Sequence, residues 1–237
     1  MAKEKANQTR TSIDEINEGL SSFEQKVENN KKVIGYAAAA ILVIAAIIFG
    51  YKYLYQQPRE ESSKNEVCQA DMNLALGEDS IALAQYKAVA DKYGNANGER
   101  AALNAAIILY QKGKFEEAIK YIKEYSGEGT LVGPAAQSLL GDCYVNLDKL
   151  SDALSAYDKA ISMSDNNELY TPLFMTKKAV IYREQKQFDK EAEIYQAIKD
   201  KFPTFSANYN VDVDKYLARA KAEAEAYATS LGTPDLK

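Results

Sequence analysis

The chain contains one long uncharged apolar run followed by a series of shorter amphipathic segments. Residues 33–50 read VIGYAAAAILVIAAIIFG, and aromatic residues continue to Tyr55. A helix of about 20 residues covers the roughly 30 Å hydrocarbon core of a bilayer. Tyr36 and Tyr51 lie near its two edges, where aromatic rings favour the membrane interface. The pattern predicts one transmembrane helix over residues 33–55, because a soluble core helix seldom stays apolar on all sides.

A polar arm, residues 1–32, precedes this helix and contains one amphipathic stripe. Its apolar residues recur at intervals of three and four, which is the spacing of one face of an α-helix. They are Ile13, Ile16, Leu20, Phe23 and Val27. The stripe lacks a lysine-rich flank for anionic lipid. A protein partner and a helix lying on zwitterionic headgroups are therefore equally good interpretations.

Basic residues near the apolar run bear on its orientation. Lys26, Lys31 and Lys32 precede it, and Lys52, Arg59 and Lys64 follow it, so the two flanks carry equal numbers. The adjacent Lys31–Lys32 pair favours a cytoplasmic N-terminus, and a long soluble domain is translocated regardless of its own charge.

Beyond a short linker at residues 56–62, the sequence repeats with a period of about 34 residues. Four copies begin at residues 63, 99, 134 and 172, and the first copy is degenerate. Small residues recur at positions 8 and 20, and larger apolar or aromatic residues recur at position 24. Position 8 holds Ala70, Ala106, Gly141 and Ala179; position 20 holds Ala82, Ala118, Ala153 and Glu191; position 24 holds Tyr86, Ile122, Tyr157 and Tyr195. Glu191 departs from the pattern, which indicates a local shift of helix register or a looser turn.

This periodicity resembles that of tetratricopeptide repeats, in which each copy is a hairpin of two antiparallel helices. The resemblance implies an all-α fold, with a right-handed stack of about four hairpins over residues 63–205. No hairpin buries its apolar face alone, so the last copy needs a cover. A helix from about Val211 to Ser230 is predicted to cap the stack, within a C-terminal segment of residues 206–237.

The resemblance also implies a concave groove, lined by positions 2, 5, 9, 12 and 13 of each first helix. The candidate binding residues in this chain are Arg100, Leu103, Ile107, Tyr110, Gln111, Ser138, Asp142, Val145, Asn146, Leu173, Thr176, Val180 and Arg183. The lysine–asparagine clamp with which some repeats of this family hold a terminal carboxylate is absent at these positions. An extended or helical peptide with apolar anchors fits better, and the alternative is a groove that is only solvated.

The composition argues against catalysis, metal binding and nucleic-acid binding. The chain has no histidine, so it lacks the usual general base and the commonest metal ligand. A formal net charge of −5, without a basic cluster beyond Lys31–Lys32, disfavours nucleic acid as a partner. Cys68 and Cys143 lie among apolar residues and are expected to be buried free thiols. We predict no catalytic residues, no metal site and no cofactor.

The whole layout resembles the single-pass tetratricopeptide protein that accompanies the bacterial Sec translocon. The matching segments are FEQKVENNKK at Phe23–Lys32, GYKYLYQQ at Gly50–Gln57 and the repeats that follow. The resemblance implies an inner-membrane protein with a cytoplasmic N-terminus and a periplasmic repeat domain. It implies three protein partners: the translocon channel, a membrane-anchored periplasmic chaperone of the prolyl-isomerase type, and secreted client chains. A scaffold for outer-membrane assembly or cell division is the alternative, and repeats facing the cytosol are a third possibility.

Overall fold

The computed structural model describes residues 27–127 and 131–230, together with Gly232. These residues form helices and turns without a strand, so the predicted all-α fold is confirmed. The helix α1 covers Lys31–Gly50, a π-helical turn covers Tyr51–Gln56, and α2 covers Gln57–Ala75. The remaining helices are α3 (Asp79–Lys92), α4 (Ala96–Gln111), α5 (Phe115–Lys123), α6 (Val132–Asn146), α7 (Leu150–Met163), α8 (Tyr170–Glu184), α9 (Phe188–Lys201), α10 (Phe205–Tyr209) and α11 (Val213–Ser230).

The apolar run forms α1, and none of its residues is buried by protein. By length and composition, the helical run that contains it could cross a membrane. Four residues of the predicted arm stripe, Ile13 to Phe23, lie outside the described part of the chain, whereas Val27 is exposed. The predicted linker at 56–62 is helical, since α2 begins at Gln57. The chain separates into two compact units, one ending at Arg59 and the other beginning at Glu60.

Four helical hairpins follow one register. They are α2/α3, α4/α5, α6/α7 and α8/α9. Every first helix ends at position 13 of its repeat, at Ala75, Gln111, Asn146 and Glu184. Every second helix begins at position 17, at Asp79, Phe115, Leu150 and Phe188. Helix α5 ends at Lys123, five positions earlier in its repeat than α3, α7 and α9 end in theirs. Helix α5 is therefore the shortest of the four second helices.

The turn inside each hairpin places position 15 in the left-handed backbone region. The φ angles there are 79° at Gly77, 71° at Gly113, 56° at Asp148 and 56° at Lys186. The next backbone N–H donates to the carbonyl at position 11, for example from Gln187 to Tyr182 at 2.8 Å. This pairing satisfies a carbonyl that the helix end leaves free, as in a Schellman motif. Glycine adopts this conformation without strain, whereas aspartate and lysine do so at a cost.

The small residues at positions 8 and 20 are buried where the two helices of a hairpin approach each other. At position 8, Gly141 lies so close to Tyr157 that an added Cβ would stand 2.5 Å from the ring carbon Cε1. At position 20, Ala82, Ala118 and Ala153 are all fully buried. The small residues therefore mark the positions at which the two helices of a hairpin approach each other most closely.

Glu191 occupies position 20 of the fourth hairpin and is fully buried. The predicted register shift is wrong, because α9 begins at position 17 like the other second helices. The carboxylate instead meets the guanidinium of Arg219 from α11, at 2.5 Å. Burial raises the pKa of Glu191 above its usual value, and the hydrogen bond from Arg219 opposes that shift. A charge at this position is thus accommodated by the capping helix rather than by a change of register.

Helix α11 covers the last hairpin, as expected of a cap. Leu217 and Ala220 are buried in one cluster with Tyr195 and Ile198 of α9. The Tyr216 ring stacks on Tyr195 with the centroids 5.4 Å apart. The apolar surface that the last repeat leaves is thereby removed from water.

The two cysteines differ in their surroundings. Cys143 is buried, and burial raises the pKa of its thiol to about 12. Cys68 is exposed on α2, so its expected burial is wrong. The equivalent residues of the later hairpins, Asn104, Leu139 and Lys177, are half-buried, and no hairpin precedes α2 among the described residues.

Candidate protein-binding groove

The first helices of the second, third and fourth hairpins carry the candidate binding residues. Helix α4 holds Arg100 to Gln111, α6 holds Ser138 to Asn146, and α8 holds Leu173 to Arg183. All three helices end at the same repeat position, so equivalent side chains recur from one hairpin to the next. The sequence register therefore places these residues on successive copies of one helix surface.

Four apolar candidates are well exposed. Ile107 is 39% exposed, Val145 38%, Leu173 37% and Val180 52%. Leu103 and Tyr110 are half-buried, and Tyr110 packs edge-on against Phe115 with the ring centroids 5.6 Å apart. Exposed aliphatic side chains on three successive helices are surface that a bound apolar chain could remove from water.

A polar cluster surrounds Asp142 at the centre of the candidate set. The Lys177 ammonium donates to Asp142 Oδ2 at 2.6 Å and to Ser138 Oγ at 3.0 Å. The Tyr157 hydroxyl donates to Asp142 Oδ1 at 2.7 Å. Ser138 is only 3% exposed, so this candidate accepts a hydrogen bond from Lys177 and is not accessible to a ligand. Both oxygens of the Asp142 carboxylate therefore have donors from the protein.

The first hairpin repeats this arrangement. The Tyr86 hydroxyl donates to Asp71 Oδ1 at 2.5 Å, and Arg100 donates to Asp71 Oδ2 at 2.5 Å. Asp71 and Asp142 both occupy position 9, and Tyr86 and Tyr157 both occupy position 24. In each case the cation comes from the first helix of a later hairpin. Burial, followed by the neighbouring aspartate, raises the pKa of both tyrosines well above the usual value, so both hydroxyls remain donors.

The remaining polar candidates make contacts within the same unit. Arg183 pairs with Glu223 of α11 at 3.3 Å. The Thr176 hydroxyl donates to the Leu173 carbonyl at 2.7 Å, and the Asn146 side-chain amide donates to the Asp142 carbonyl at 2.8 Å. Gln111 is exposed at the end of α4.

Sequence reasoning missed Asp71, Lys177 and Glu223, which complete these pairs. The available signal was the recurring 15-residue separation between an aspartate at position 9 and a tyrosine at position 24. No comparable spacing identifies the cations, since Arg100 lies at position 2 of its repeat and Lys177 at position 6. Which cation reaches the carboxylate depends on how one hairpin packs on the next.

Two groups of candidate groove residues can therefore be distinguished, the charged and the exposed aliphatic ones. The three charged candidates, Arg100, Asp142 and Arg183, all have an ion-pair partner inside the protein. The exposed aliphatic residues contribute unsatisfied apolar surface. Among the described residues, no three His, Cys, Asp or Glu side chains are grouped as a metal site would require.

Family models and solved structures agree on this architecture. Residues 62–181 match the family described as tetratricopeptide repeat-like domain, and residues 175–204 match the tetratricopeptide repeat. Among proteins with a curated description, none matches the sequence significantly.

The fold is similar to several solved repeat structures. One is a crystal structure of MamA protein, with 19% identity over 72% of this chain and 96% of that one, at a TM-score of 0.52. Another is a Podosopora anserina putative kinesin light chain with TPR-like repeats, with 13% identity over 72% and 90% and a TM-score of 0.54. A third is pilF of Pseudomonas aeruginosa, with 16% identity over 79% and 89% and a TM-score of 0.51. At such identities the likeness is one of fold alone.

Repeats of this family are typically non-catalytic scaffolds for protein–protein interaction. The hairpin register, the buried small residues and the two matched family models all identify such repeats in this chain. The chain belongs to the tetratricopeptide repeat-like family.

Proposed function

We propose that this protein is a membrane-anchored scaffold of the bacterial Sec translocon, which links the channel to periplasmic chaperones and emerging secreted chains. The observation that carries the proposal is the order of segments: an exposed helix apolar enough to cross a bilayer, followed directly by a tetratricopeptide stack. That order, with the arm and linker segments quoted above, is the one that the resemblance to the translocon-associated family supplies.

The proposal assigns a role to each segment. Residues 1–32 are a cytoplasmic arm, residues 33–55 cross the inner membrane, residues 56–62 link, residues 63–205 form the periplasmic repeat domain, and residues 206–237 form the cap and tail. The repeat domain binds its partners through the groove, and the apolar helix anchors the chain in the membrane.

The groove is suited to apolar segments of unfolded chains. Its charges are paired within the protein, so a charged ligand would have to displace Lys177 from Asp142 or Arg100 from Asp71. An apolar segment removes Ile107, Val145 and Val180 from water without breaking a pair. Each fully buried aliphatic side chain contributes roughly 1.5–3 kcal/mol, before the entropy of ordering the ligand is subtracted. Weak, exchangeable binding of a secreted chain is the expected result.

Photo-crosslinking tests the partners. A photoreactive residue replaces Ile107, Val145 or Val180 in the full chain in living cells, and mass spectrometry identifies the products. Translocon subunits, a prolyl-isomerase-type chaperone or secreted chains are expected at these positions. The same probe at Ile81, an exposed residue of α3 that is not a groove candidate, is the control. Recovery of cell-division or outer-membrane assembly proteins, without translocon subunits, would overturn the proposal.

Cysteine labelling tests the side of the membrane. Asn208 on α10 is exposed, and Asn208→Cys in a Cys68→Ser background gives one accessible thiol, because Cys143 is buried. A membrane-impermeant maleimide should label this thiol in intact cells once the outer membrane is permeabilised. Labelling only after the inner membrane is broken would place the repeats in the cytosol.

A further inference from the structure

A cavity of about 390 Å³ lies at the end of the stack, where α9 begins and α11 ends. We call it the end cavity. Residues 186–190 form one wall, and Ala224, Tyr227 and Ala228 of α11 form the other. Its volume falls within the roughly 300–1,000 Å³ of pockets that hold a ligand. The residues that line it do not include any groove candidate, so the end cavity is separate from the groove.

Two aromatic rings form the apolar part of the end cavity. Phe188 and Tyr227 meet edge-on, with their centroids 5.7 Å apart. Phe188 is at position 17 of its repeat, and the equivalent residue of the third hairpin, Leu150, packs in one cluster with Ile181 of α8. Ile181 is 2% exposed, whereas Tyr227, which meets Phe188 in the same way, is 38% exposed. A contact that is closed inside the stack is therefore open at its end.

The backbone after α11 has the turn geometry of the hairpins. Gly232 has a φ angle of 72°, and its N–H donates to the Thr229 carbonyl at 3.2 Å. In the second hairpin, Gly113 has a φ angle of 71°, and its N–H donates to the Tyr110 carbonyl at 3.0 Å. A turn of this kind directs the chain that follows it back along the helix, which here is towards the end cavity.

The sequence after this turn is long enough to reach the end cavity. Residues 233–236 read TPDL, and four extended residues span at most about 14 Å. Ala228 and Ala224 precede Gly232 by four and eight residues, which is about 6 and 12 Å along a helix. The segment therefore covers the distance to both alanines.

The chemistry of the same segment complements the end cavity. Leu236 is apolar, as are the two rings. Asp235 is opposite in charge to Lys186 and Lys190, which are exposed at the rim and outnumber the one acid there, Asp189. An acidic residue followed by an aliphatic one thus matches a basic rim around an apolar wall.

We propose that the end cavity binds the chain's own residues 233–236, with Leu236 against Phe188 and Tyr227 and with Asp235 paired to Lys190. The contact is intramolecular, so the short connection gives a high effective concentration and a weak interaction is populated. Bound in this way, the segment closes the end of the stack to other chains and holds the last turns of α11 in place.

Alkylation of a cysteine placed in the cavity measures its occupancy. The purified full chain carries Ala224→Cys in a Cys68→Ser background, and Cys143 does not compete because it is buried. Leu236→Ser should raise the alkylation rate of the introduced cysteine about tenfold, because the apolar anchor is lost. Glu225→Cys, at an exposed residue of α11 that does not line the cavity, is the matched control and should react equally with or without Leu236→Ser.

Exchange of the two charges tests the ion pair. Asp235→Lys should also raise the alkylation rate at Ala224→Cys, because it sets like charges against each other at the rim. Adding Lys190→Glu should restore the protection, whereas Lys190→Glu alone should not. Circular dichroism confirms that the variants fold.

Disulfide trapping identifies the occupant. Asp235→Cys with Lys190→Cys, in the Cys68→Ser background, should form a bridge within one copy, and Asp235→Cys with Glu225→Cys should not. Mass spectrometry of mixed isotope-labelled and unlabelled copies distinguishes a bridge within one chain from a bridge between two. Equal alkylation with and without Leu236→Ser, bridges only between copies, or protection that requires a second protein would overturn the proposal. None of these outcomes depends on which machine the groove serves.

Discussion

The hydroxyl of Tyr157 donates to the carboxylate of Asp142 at 2.7 Å, across the gap between the two helices of the third hairpin. The same pair of positions is joined in the first hairpin by Tyr86 and Asp71. In both cases a cation from a later hairpin forms an ion pair with the other oxygen of the carboxylate. The tyrosine thus links the buried interior of a hairpin to the groove.

Removing that hydroxyl should destabilise the fold. Tyr157→Phe leaves one oxygen of a half-buried carboxylate without its donor, and hydrogen bonds to charged groups contribute about 1.5–3 kcal/mol. We expect a loss of about 2 kcal/mol in the free energy of unfolding, measured by urea denaturation. Tyr209→Phe, at an exposed residue of α10, is the matched control.

A double-mutant cycle with Asp142→Asn measures how much of the loss in the free energy of unfolding comes from the hydrogen bond between Tyr157 and Asp142. The two changes should be clearly less than additive, because each removes the same hydrogen bond. Additive losses would show that Tyr157 acts through packing alone.

Replacing a non-glycine residue at position 15 of a turn by glycine should stabilise the fold. Lys186 and Asp148 hold positive φ angles that glycine holds in the first two hairpins. A left-handed residue other than glycine costs roughly 1–2 kcal/mol. Lys186→Gly should therefore raise the free energy of unfolding by about 1 kcal/mol, once the greater freedom of glycine in the unfolded chain is subtracted. The readout is the urea midpoint at an unchanged slope.

Lys149→Gly is the control for that substitution. Lys149 lies beside the turn with a φ of −93°, so glycine relieves no strain there and should destabilise. The converse change, Gly113→Ala, should cost about 1 kcal/mol, although an added Cβ at Gly113 meets no atom within 4 Å. A neutral result at both Lys186 and Gly113 would contradict the backbone explanation.

The Glu191–Arg219 pair should respond unequally to removal of each partner. Arg219→Leu leaves a fully buried carboxylate without its cation, which typically costs 3–5 kcal/mol, so α11 should loosen. Replacing both partners, as Glu191→Ala with Arg219→Leu, restores the small residue that the other hairpins have at position 20. That double variant should recover most of the loss, as followed by hydrogen exchange of α11 and by thermal unfolding.

The same carboxylate predicts a pH dependence. The folded pKa of Glu191 is raised above its value in the unfolded chain, chiefly by burial. The folded state therefore binds this proton more tightly, and the contribution to stability is lost as the pH rises through the raised pKa. Relative to Glu191→Gln, the natural protein should lose stability from about pH 4.5 upwards. Parallel stability curves for the two proteins would refute this assignment.

Gly141 tests the close approach of helices α6 and α7. Its Cβ in Gly141→Ala would overlap the Tyr157 ring, and overpacking of this kind costs about 1–3 kcal/mol. Adding Tyr157→Ile copies the Ala106–Ile122 combination of the second hairpin. Because Tyr157→Ile also removes the hydrogen bond to Asp142, the comparison is made with Tyr157→Ile alone: Gly141→Ala should cost clearly less in that background than in the natural protein, as measured by thermal unfolding. An equal cost in both backgrounds would show that the ring is not the obstacle.

The sequence by itself determined the repeat register, because small and bulky residues recur wherever helices must approach closely or fill a gap. Those contacts are local to a hairpin, so a period of about 34 residues was enough to find them. The same reasoning identified the apolar helix and the cap. It failed at Glu191, where a single residue type was judged without its partner 28 positions later.

Only the tertiary structure decided which charges in the groove are paired, whether Ser138 is accessible, and why Cys68 is exposed while Cys143 is buried. Arg100, Lys177 and Arg219 each reach a carboxylate on another hairpin or across to the cap, over separations of 28 to 35 residues. Such contacts depend on how rigid hairpins pack on one another, and no local spacing encodes that geometry. Likewise, Met72 on α2 is exposed although its equivalents Ile108, Cys143 and Ile181 are buried, which follows from its place at the start of the described stack.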